Sequence, residues 1–500
     1  MDKRDVLEQL TFGQRVAEDE REELAEYFVE TDQWKRVESG RIDVVFGPKG
    51  AGKSAIYTSL MAREAEMSGR GIILISAEKP RGSTVFQGLV AEPPTVEIEF
   101  VGIWKTYILS LLGSVIVDYG LVGDAAKRVK TALVAEQLLA TGDAPIAARF
   151  RMVWDWIKGL SGRLAPEGEL QLDPNTGSPT GIAFKISLQE PSADARARGF
   201  MSLDELLGDA NQALTDNELS VWVLFDRLDV AFSESRELEA NGIRALFKTY
   251  LDMRELENIG VKIFLRTDIW NEVTKRGFRE ASHITRQLRI DWGSSALLNL
   301  IVRRALRVPA VVEYHEADPH TVLSSAKAQR AFFDSLVPDQ VDVGKNPLTF
   351  EWILGRVQDG SKRPAPREVI HLLNEARDAQ LKMLERGEAA LPAKELLSRG
   401  ALREALFPIS KIRLEQTLYA EYPTEKPWIQ AFEGQKTEHT RASLAEMWDC
   451  DVAEAGQRAA RLVEIGFMEQ RGEREEPIYW VPFLYRPGLD MRQGAATWAG

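Results

Sequence analysis

A single cysteine, Cys450, stands among 500 residues, which excludes an intrachain disulfide framework and fits a reducing compartment. Basic residues are the minority: 63 Lys and Arg against 76 Asp and Glu leave a net charge of −13. No field over the whole molecule therefore draws it to nucleic acid or anionic lipid, and any such contact has to be local. Long apolar runs are missing too. The longest, residues 107–117, is too short and too interrupted to span a bilayer, and Met1-Asp2-Lys3-Arg4-Asp5 opens the chain without the apolar core of a signal peptide. No membrane span and a cytoplasmic location are the expectations. The dinucleotide signature G-x-G-x-x-G is absent, which disfavours that fold, and no nuclease, protease or transferase constellation is evident.

What is present centres on one stretch. Val44, Val45 and Phe46 form an apolar strand that runs into Gly47-Pro48-Lys49-Gly50-Ala51-Gly52-Lys53-Ser54, and Ile56, Leu60, Met61 and Ala65 leave it at near-helical spacing. The eight residues fit G-x-x-x-x-G-K-[ST]. The glycines let backbone N–H groups converge on an anion at a helix N-terminus, Lys53 supplies a point charge to the outer phosphates, and the Ser54 hydroxyl ligates Mg²⁺. The bound species expected is ATP with Mg²⁺. A glycine-rich turn without ligand is the bland alternative.

The second motif, residues 221–226, is a buried strand ending in Asp226, a carboxylate placed to hold Mg²⁺ through water. The third, residues 260–268, again ends a strand in polar groups. Arg266 is a candidate for the γ-phosphate and Thr267 or Asp268 for positioning water; pairing of Arg266 with a neighbouring carboxylate is the alternative. Residues 71–76 add a further strand, and strand, helix, strand in this order means a parallel sheet. Between these motifs, residues 93–200 read as an insertion of three helical stretches and a hairpin in which Leu170 and Leu172 face Ile182, Phe184 and Ile186. Ser202-Leu203-Asp204-Glu205 is a capping box that opens the helix before Val221.

Residues 301–392 read as a helical lid. Its His315 and His320, beside Glu313, Glu316 and Asp318, resemble metal ligands in composition, but Pro319 and the loop setting favour a solvated turn, and no metal is assigned. Residues 393–500 follow the order helix, turn, helix, hairpin of a winged helix. Its second helix offers Arg458 and Arg461 against Asp451, Glu454 and Glu464, and residues 469–476 are acidic on balance. Non-specific DNA affinity comes from cations on phosphates, so docking to protein is favoured over DNA here. Residues 1–40 read as charged N-terminal helices and residues 41–300 as the core.

Together the residues 12–27, the loop 47–54, Leu224-Phe225-Asp226-Arg227-Leu228-Asp229 and Phe264-Leu265-Arg266-Thr267-Asp268 resemble the additional-strand phosphate-loop ATPases. Within them the chain looks most like the bacterial relatives of the KAP-type and signal-transduction (STAND) ATPases and the origin-recognition group. The resemblance implies an α/β fold: a parallel phosphate-loop sheet flanked by helices, with an inserted segment, a helical lid and a C-terminal winged helix. It implies a Glu directly after the metal-holding Asp. Arg227 stands there instead, which leaves Asp229 as the candidate general base. It also implies that an Arg of the segment before the helix at 368–383, Arg363 or Arg367, reads nucleotide state, and that residues 28–34 wall the adenine pocket; packing of an N-terminal helix on the sheet edge is the other reading. The activity implied is an ATP-hydrolysing switch that gates a partner or companion effector, with nucleotide-dependent self-association, in bacterial signalling or anti-phage defence. A DNA-binding regulator with ATP as a slow structural switch is the alternative.

Overall fold

A computed structural model of the chain describes residues 2–14, 29–77, 97–139, 146–161, 185–188, 190–197, 199–228, 236–275, 277–388, 394–473 and 476–496. Two compact units emerge. One, the sheet unit, comprises Asp32–Pro48 and Lys53–Ile290; the other, the C-terminal unit, comprises Met1–Thr31, Lys49–Gly52 and Asp291–Gly500.

The sheet unit is built on five parallel strands, β1 (Val44–Gly47), β2 (Ile72–Ser76), β5 (Ser220–Phe225), β6 (Ile259–Arg266) and β7 (Gln287–Arg289), in the order β2-β5-β6-β1-β7. Parallel strands are covered on both faces, and β1 accordingly has all four residues buried. One face carries Phe46, Phe225 and Ile263. Glu97–Asp118 and Arg236–Met253 cover it, joined by the Trp104 indole N–H donating to Gly242 O at 2.8 Å. Trp104 stands edge-on to Phe225 at 5.4 Å, and Phe46 packs on Trp270 at 4.9 Å. On the other face Phe264 meets the ring of Tyr57, which stands on the helix Lys53–Ala62.

Within the segment read as an insertion, Glu97–Asp118 lies in the core of the α/β sandwich, tied by buried Lys105 to Asp204 and Asp252 at 2.7 Å each. Its long apolar window, which by length and composition passes for a bilayer span, is 89% buried. The hairpin expected over residues 170–186 lies, up to residue 184, outside the described residues; β3 (Lys185–Ser187) pairs in parallel with β4 (Phe200–Ser202). Strand β7 was not anticipated; its alternating exposure, with only Leu288 buried, gives a weak strand signal. The capping box holds, with Glu205 N donating to Ser202 Oγ and Ser202 N to Glu205 Oε2.

In the C-terminal unit one apolar core runs through the helices 294–385 and on into the last hundred residues. The helix Lys3–Gln9 belongs to this core through Val6 and Leu7. Asn374 brackets the following turn, accepting from Phe12 N and donating to Gly13 O. His315 is not in a solvated turn: it is buried beside Ser335 Oγ, and burial, followed by the charges of Lys394 and Lys3, pushes its pKa down to about 4. No group of three or more metal-ligating side chains occurs among the described residues.

The C-terminal segment has a four-stranded sheet in the order β11-β8-β10-β9, from β8 (Lys436–His439), β9 (Glu469–Arg471), β10 (Ile478–Trp480) and β11 (Arg492–Ala495). The helices Arg441–Met447 and Val452–Glu464 stand between β8 and the β9–β10 hairpin, the order of a winged helix. Asp451 caps the second of them by accepting from Glu454 N at 2.8 Å. Strand β11, parallel to β8, has no apolar alternation in sequence to announce it.

Candidate nucleotide-binding site

Parallel strands end at a common edge, and four polar strand ends collect there: Gly47 on β1, Ser76 on β2, Asp226 after β5 and Arg266 on β6. Between β1 and the helix Lys53–Ala62 the chain turns with Gly50 at φ +81° and Gly52 at φ +93°, values that side chains with a Cβ rarely adopt. Left-handed residues alternating with others direct successive N–H groups to one side, the geometry of an anion nest at a helix N-terminus. Lys53 Nζ donates to Gly47 O at 2.9 Å and Pro48 O at 3.0 Å. These contacts fold the side chain back over the loop that precedes it. The donor set therefore fits a polyphosphate, with the Ser54 hydroxyl, in the first turn of the helix, as the residue to meet Mg²⁺.

The strand order decides what neighbours this loop. Strand β6 lies between β1 and β5, the added strand that gives the additional-strand arrangement its name, and its register puts Gly47 directly across from Arg266. Asp226, buried at 4% exposure, follows β5, one strand beyond β6. At about 4.8 Å per strand, a water-bridged metal spans that gap better than a direct ligand does. Arg227, directly after Asp226, has φ +58°. A left-handed arginine is an uncommon backbone state that costs energy, and such states concentrate at functional turns. Asp229 lies outside the described residues.

Arg266 and Asp268, assigned separate roles by sequence, are joined. The guanidinium donates from Nε to Oδ1 at 3.1 Å and from Nη2 to Oδ2 at 2.6 Å, with 13% of the Arg266 side chain exposed. This bidentate pair engages both carboxylate oxygens and fixes the guanidinium plane. Tyr57 Oη, from the loop's own helix, donates to Ser76 Oγ at 2.6 Å and fixes the helix to the β2 end.

At the opposite edge of the sheet sits a cluster that sequence reasoning missed. Lys262 on β6 donates to Asp43 at 2.7 Å and to Ile42 O at 2.8 Å, and its ammonium lies 4.3 Å from the centroid of Trp222. Asp43 also accepts from Tyr250 Oη at 3.1 Å and pairs with Arg286. Burial, countered by Asp43, lowers the Lys262 pKa; burial and then Asp43 raise that of Tyr250. The Trp222 indole crosses β6 at Gly260, where a Cβ would come within 2.8 Å of it. Trp34, which the resemblance places near the adenine pocket, is fully buried beneath the Arg63 guanidinium and has no surface to offer a base; Phe28 lies outside the described residues.

In the C-terminal unit the loop tip Lys49–Gly52 has three partners. The Trp292 indole donates to Ala51 O at 2.8 Å, a Cβ on Gly50 would lie 3.1 Å from Arg367 Cβ, and Lys49 pairs with Glu421. Arg367 stands in the first turn of the helix Pro366–Glu385, whereas Arg363 is exposed in the preceding loop and is not brought to the tip. Neither Trp292 nor Glu421 carried a sequence signal for this contact.

No protein-family model and no curated protein matches the chain. Among solved structures it is similar to the ORC1 protein of Aeropyrum pernix in complex with DNA, at 10% identity and a TM-score of 0.35 over 92% of this chain and 91% of that one. It is also similar to the ORC2 protein of Aeropyrum pernix, in ADPNP–ADP complexes, at 11% identity and a TM-score of 0.29 over 95% of each. Neither is a KAP-type or signal-transduction ATPase. The fold is established by the strand order and register given above, independently of these likenesses.

Proposed function

We propose that the protein binds ATP with Mg²⁺ and hydrolyses it as a conformational switch acting on a partner. One observation carries the reading: a glycine-turned loop with Gly50 and Gly52 left-handed, where a parallel strand meets a helix that opens on Lys53 and Ser54, with an added strand delivering Arg266 beside it. In this reading the loop N–H groups and Lys53 bind the phosphates, and Ser54 and Asp226 hold Mg²⁺, which supplies charge neutralisation between the outer phosphates. Arg266, oriented by Asp268, stabilises charge developing on the γ-phosphate. Asp229 remains the proposed base, and Arg363 and Arg367 the proposed readers of nucleotide state, with self-association favoured by ATP over ADP.

The partner is protein in preference to DNA, because both arginines of the helix Val452–Glu464 are committed to carboxylates. Arg458 pairs with Glu454, and Arg461 with Glu425 at 2.7 Å and Glu464 at 3.0 Å. A signalling or anti-phage setting rests on the sequence resemblance alone. The test is equilibrium binding and turnover of MgATP by the full chain and by Lys53→Ala. Saturable binding and turnover lost in the variant are expected, and a wild-type chain that neither binds nor hydrolyses ATP sinks the reading. Turnover that depends strictly on duplex DNA would promote the DNA-regulator alternative.

A further inference from the structure

Leu414–Tyr419 is the one π-helical stretch among the described residues, running directly out of the helix Leu406–Arg413. Such wide turns are rare, short and frequent at functional positions. Contacts hold this one at both ends. At the start, buried Arg413 donates to Glu368 Oε1 at 2.9 Å and to Asp359 Oδ2 at 3.3 Å. Burial acts to lower the Arg413 pKa, but the carboxylates of Glu368 and Asp359, with Tyr485 between them in influence, more than reverse this, so the guanidinium stays charged. Glu368 follows Arg367, and Asp359 opens the loop that carries Arg363.

Past the end of the π-helical stretch, Glu421 takes the ammonium of Lys49 in the phosphate loop, its side chain only 16% exposed. Next along the chain, the Tyr422 ring lies 5.6 Å from the Arg461 guanidinium, and Glu425 accepts from Arg461 Nε. Residues 413–425 thus touch the arginine-bearing loop, the phosphate-loop tip and the second helix of the winged helix, all within one compact unit.

We propose that Glu421 is an anionic latch on the phosphate loop, released when the polyphosphate of a nucleotide takes Lys49 from it, and that the π-helical segment passes this release to the winged helix through Tyr422 and Glu425. The proposal rests on the nucleotide reading of the loop. Its physical basis is competition: a carboxylate that neutralises Lys49 also repels phosphates arriving at the same loop. Release removes the contact that holds the downstream end of a π-helical turn, and a turn of that kind relaxes when its restraints go.

The experiment uses the full chain. A fluorescent ATP analogue is titrated with Mg²⁺ at fixed salt into wild type, Glu421→Gln, Glu421→Asp, Lys49→Gln and the Glu421→Gln/Lys49→Gln double variant. Hydrogen exchange is followed over residues 414–425 and 452–464. Glu421→Gln is expected to bind roughly fivefold more tightly, as removal of one nearby like charge predicts in a partly screened site. Glu421→Asp stays close to wild type, and the tightening vanishes in the Lys49→Gln background. Nucleotide speeds exchange over both segments in wild type, and Glu421→Gln shows the faster exchange without nucleotide.

Wild-type affinity in Glu421→Gln, equal tightening in both backgrounds, or exchange indifferent to nucleotide overturns the latch. Lys53→Ala separates the two ideas. If wild type binds, Lys53→Ala does not and Glu421→Gln changes nothing, only the latch fails. If wild type itself binds no nucleotide, the site reading fails and takes the latch with it.

Discussion

Two lysines stand at opposite edges of the same sheet, and their partners assign them opposite uses. Lys53 opens a helix behind a loop whose left-handed Gly50 and Gly52 direct backbone N–H groups to one side, and it donates to Gly47 O and Pro48 O within that loop. Lys262 is held by one carbonyl and the carboxylate of Asp43, and at 2% exposure it is sealed from solvent. The first stands at a loop shaped for an anion; the second is enclosed in a protein ion pair. A cation's identity therefore says less about its role than the backbone and side chains around it.

The sharpest test of that contrast removes each partner. Asp43→Ala leaves Lys262 as an uncompensated buried charge and is expected to cost about 3–5 kcal/mol of unfolding free energy in denaturant titrations. Lys53→Ala should leave the unfolding midpoint nearly unchanged and lower nucleotide affinity or turnover by about 10²-fold or more. If the two variants exchange phenotypes, the comparison is wrong.

Asp226→Asn tests the anionic side of the same edge. It keeps the shape and removes the charge, so affinity measured in Mg²⁺ should fall roughly tenfold while affinity in EDTA stays put. Equal loss in both media would make Asp226 a structural residue.

The smallest effect extends the contrast to the winged helix, where Arg458 and Arg461 follow the pattern of Lys262. Wild type should bind duplex DNA weakly at low salt. Glu454→Gln/Glu464→Gln removes two carboxylates from the exposed helix face, so affinity should rise by about threefold to tenfold and the salt slope steepen by about one unit. Strong, steeply salt-dependent binding by wild type would show that carboxylate-paired arginines still engage phosphate here.

The phosphate loop was legible because its chemistry is local: glycines at fixed spacing, a lysine and a hydroxyl make the site whatever surrounds them. Strands β1, β2, β5 and β6 were legible because buried parallel strands are continuously apolar. What sequence did not carry is pairing. Whether Arg266 faces a phosphate or Asp268, and whether Lys49 meets Glu421, depends on side chains brought together by the fold. Strands β7 and β11 escaped for a related reason, since edge strands expose most of their residues and lose the apolar signal. The helix Glu97–Asp118 was legible as a helix but its partners were not, because a helix apolar on nearly every side says only that it is buried, not against what.

That helix has a consequence for how the protein is made. The strands and helix that cover it, β5, β6 and Arg236–Met253, are translated about 100 residues or more after it. At roughly 5–20 residues per second, a 20-residue window of membrane-spanning length and apolarity waits about 5–20 s before β5, the next strand of its cover after β1 and β2, is made. During that interval it presents to nascent-chain chaperones and membrane-targeting factors the same surface as a signal anchor. Synthesis rate and chaperone supply, more than equilibrium stability, then set how much of the chain reaches the folded state.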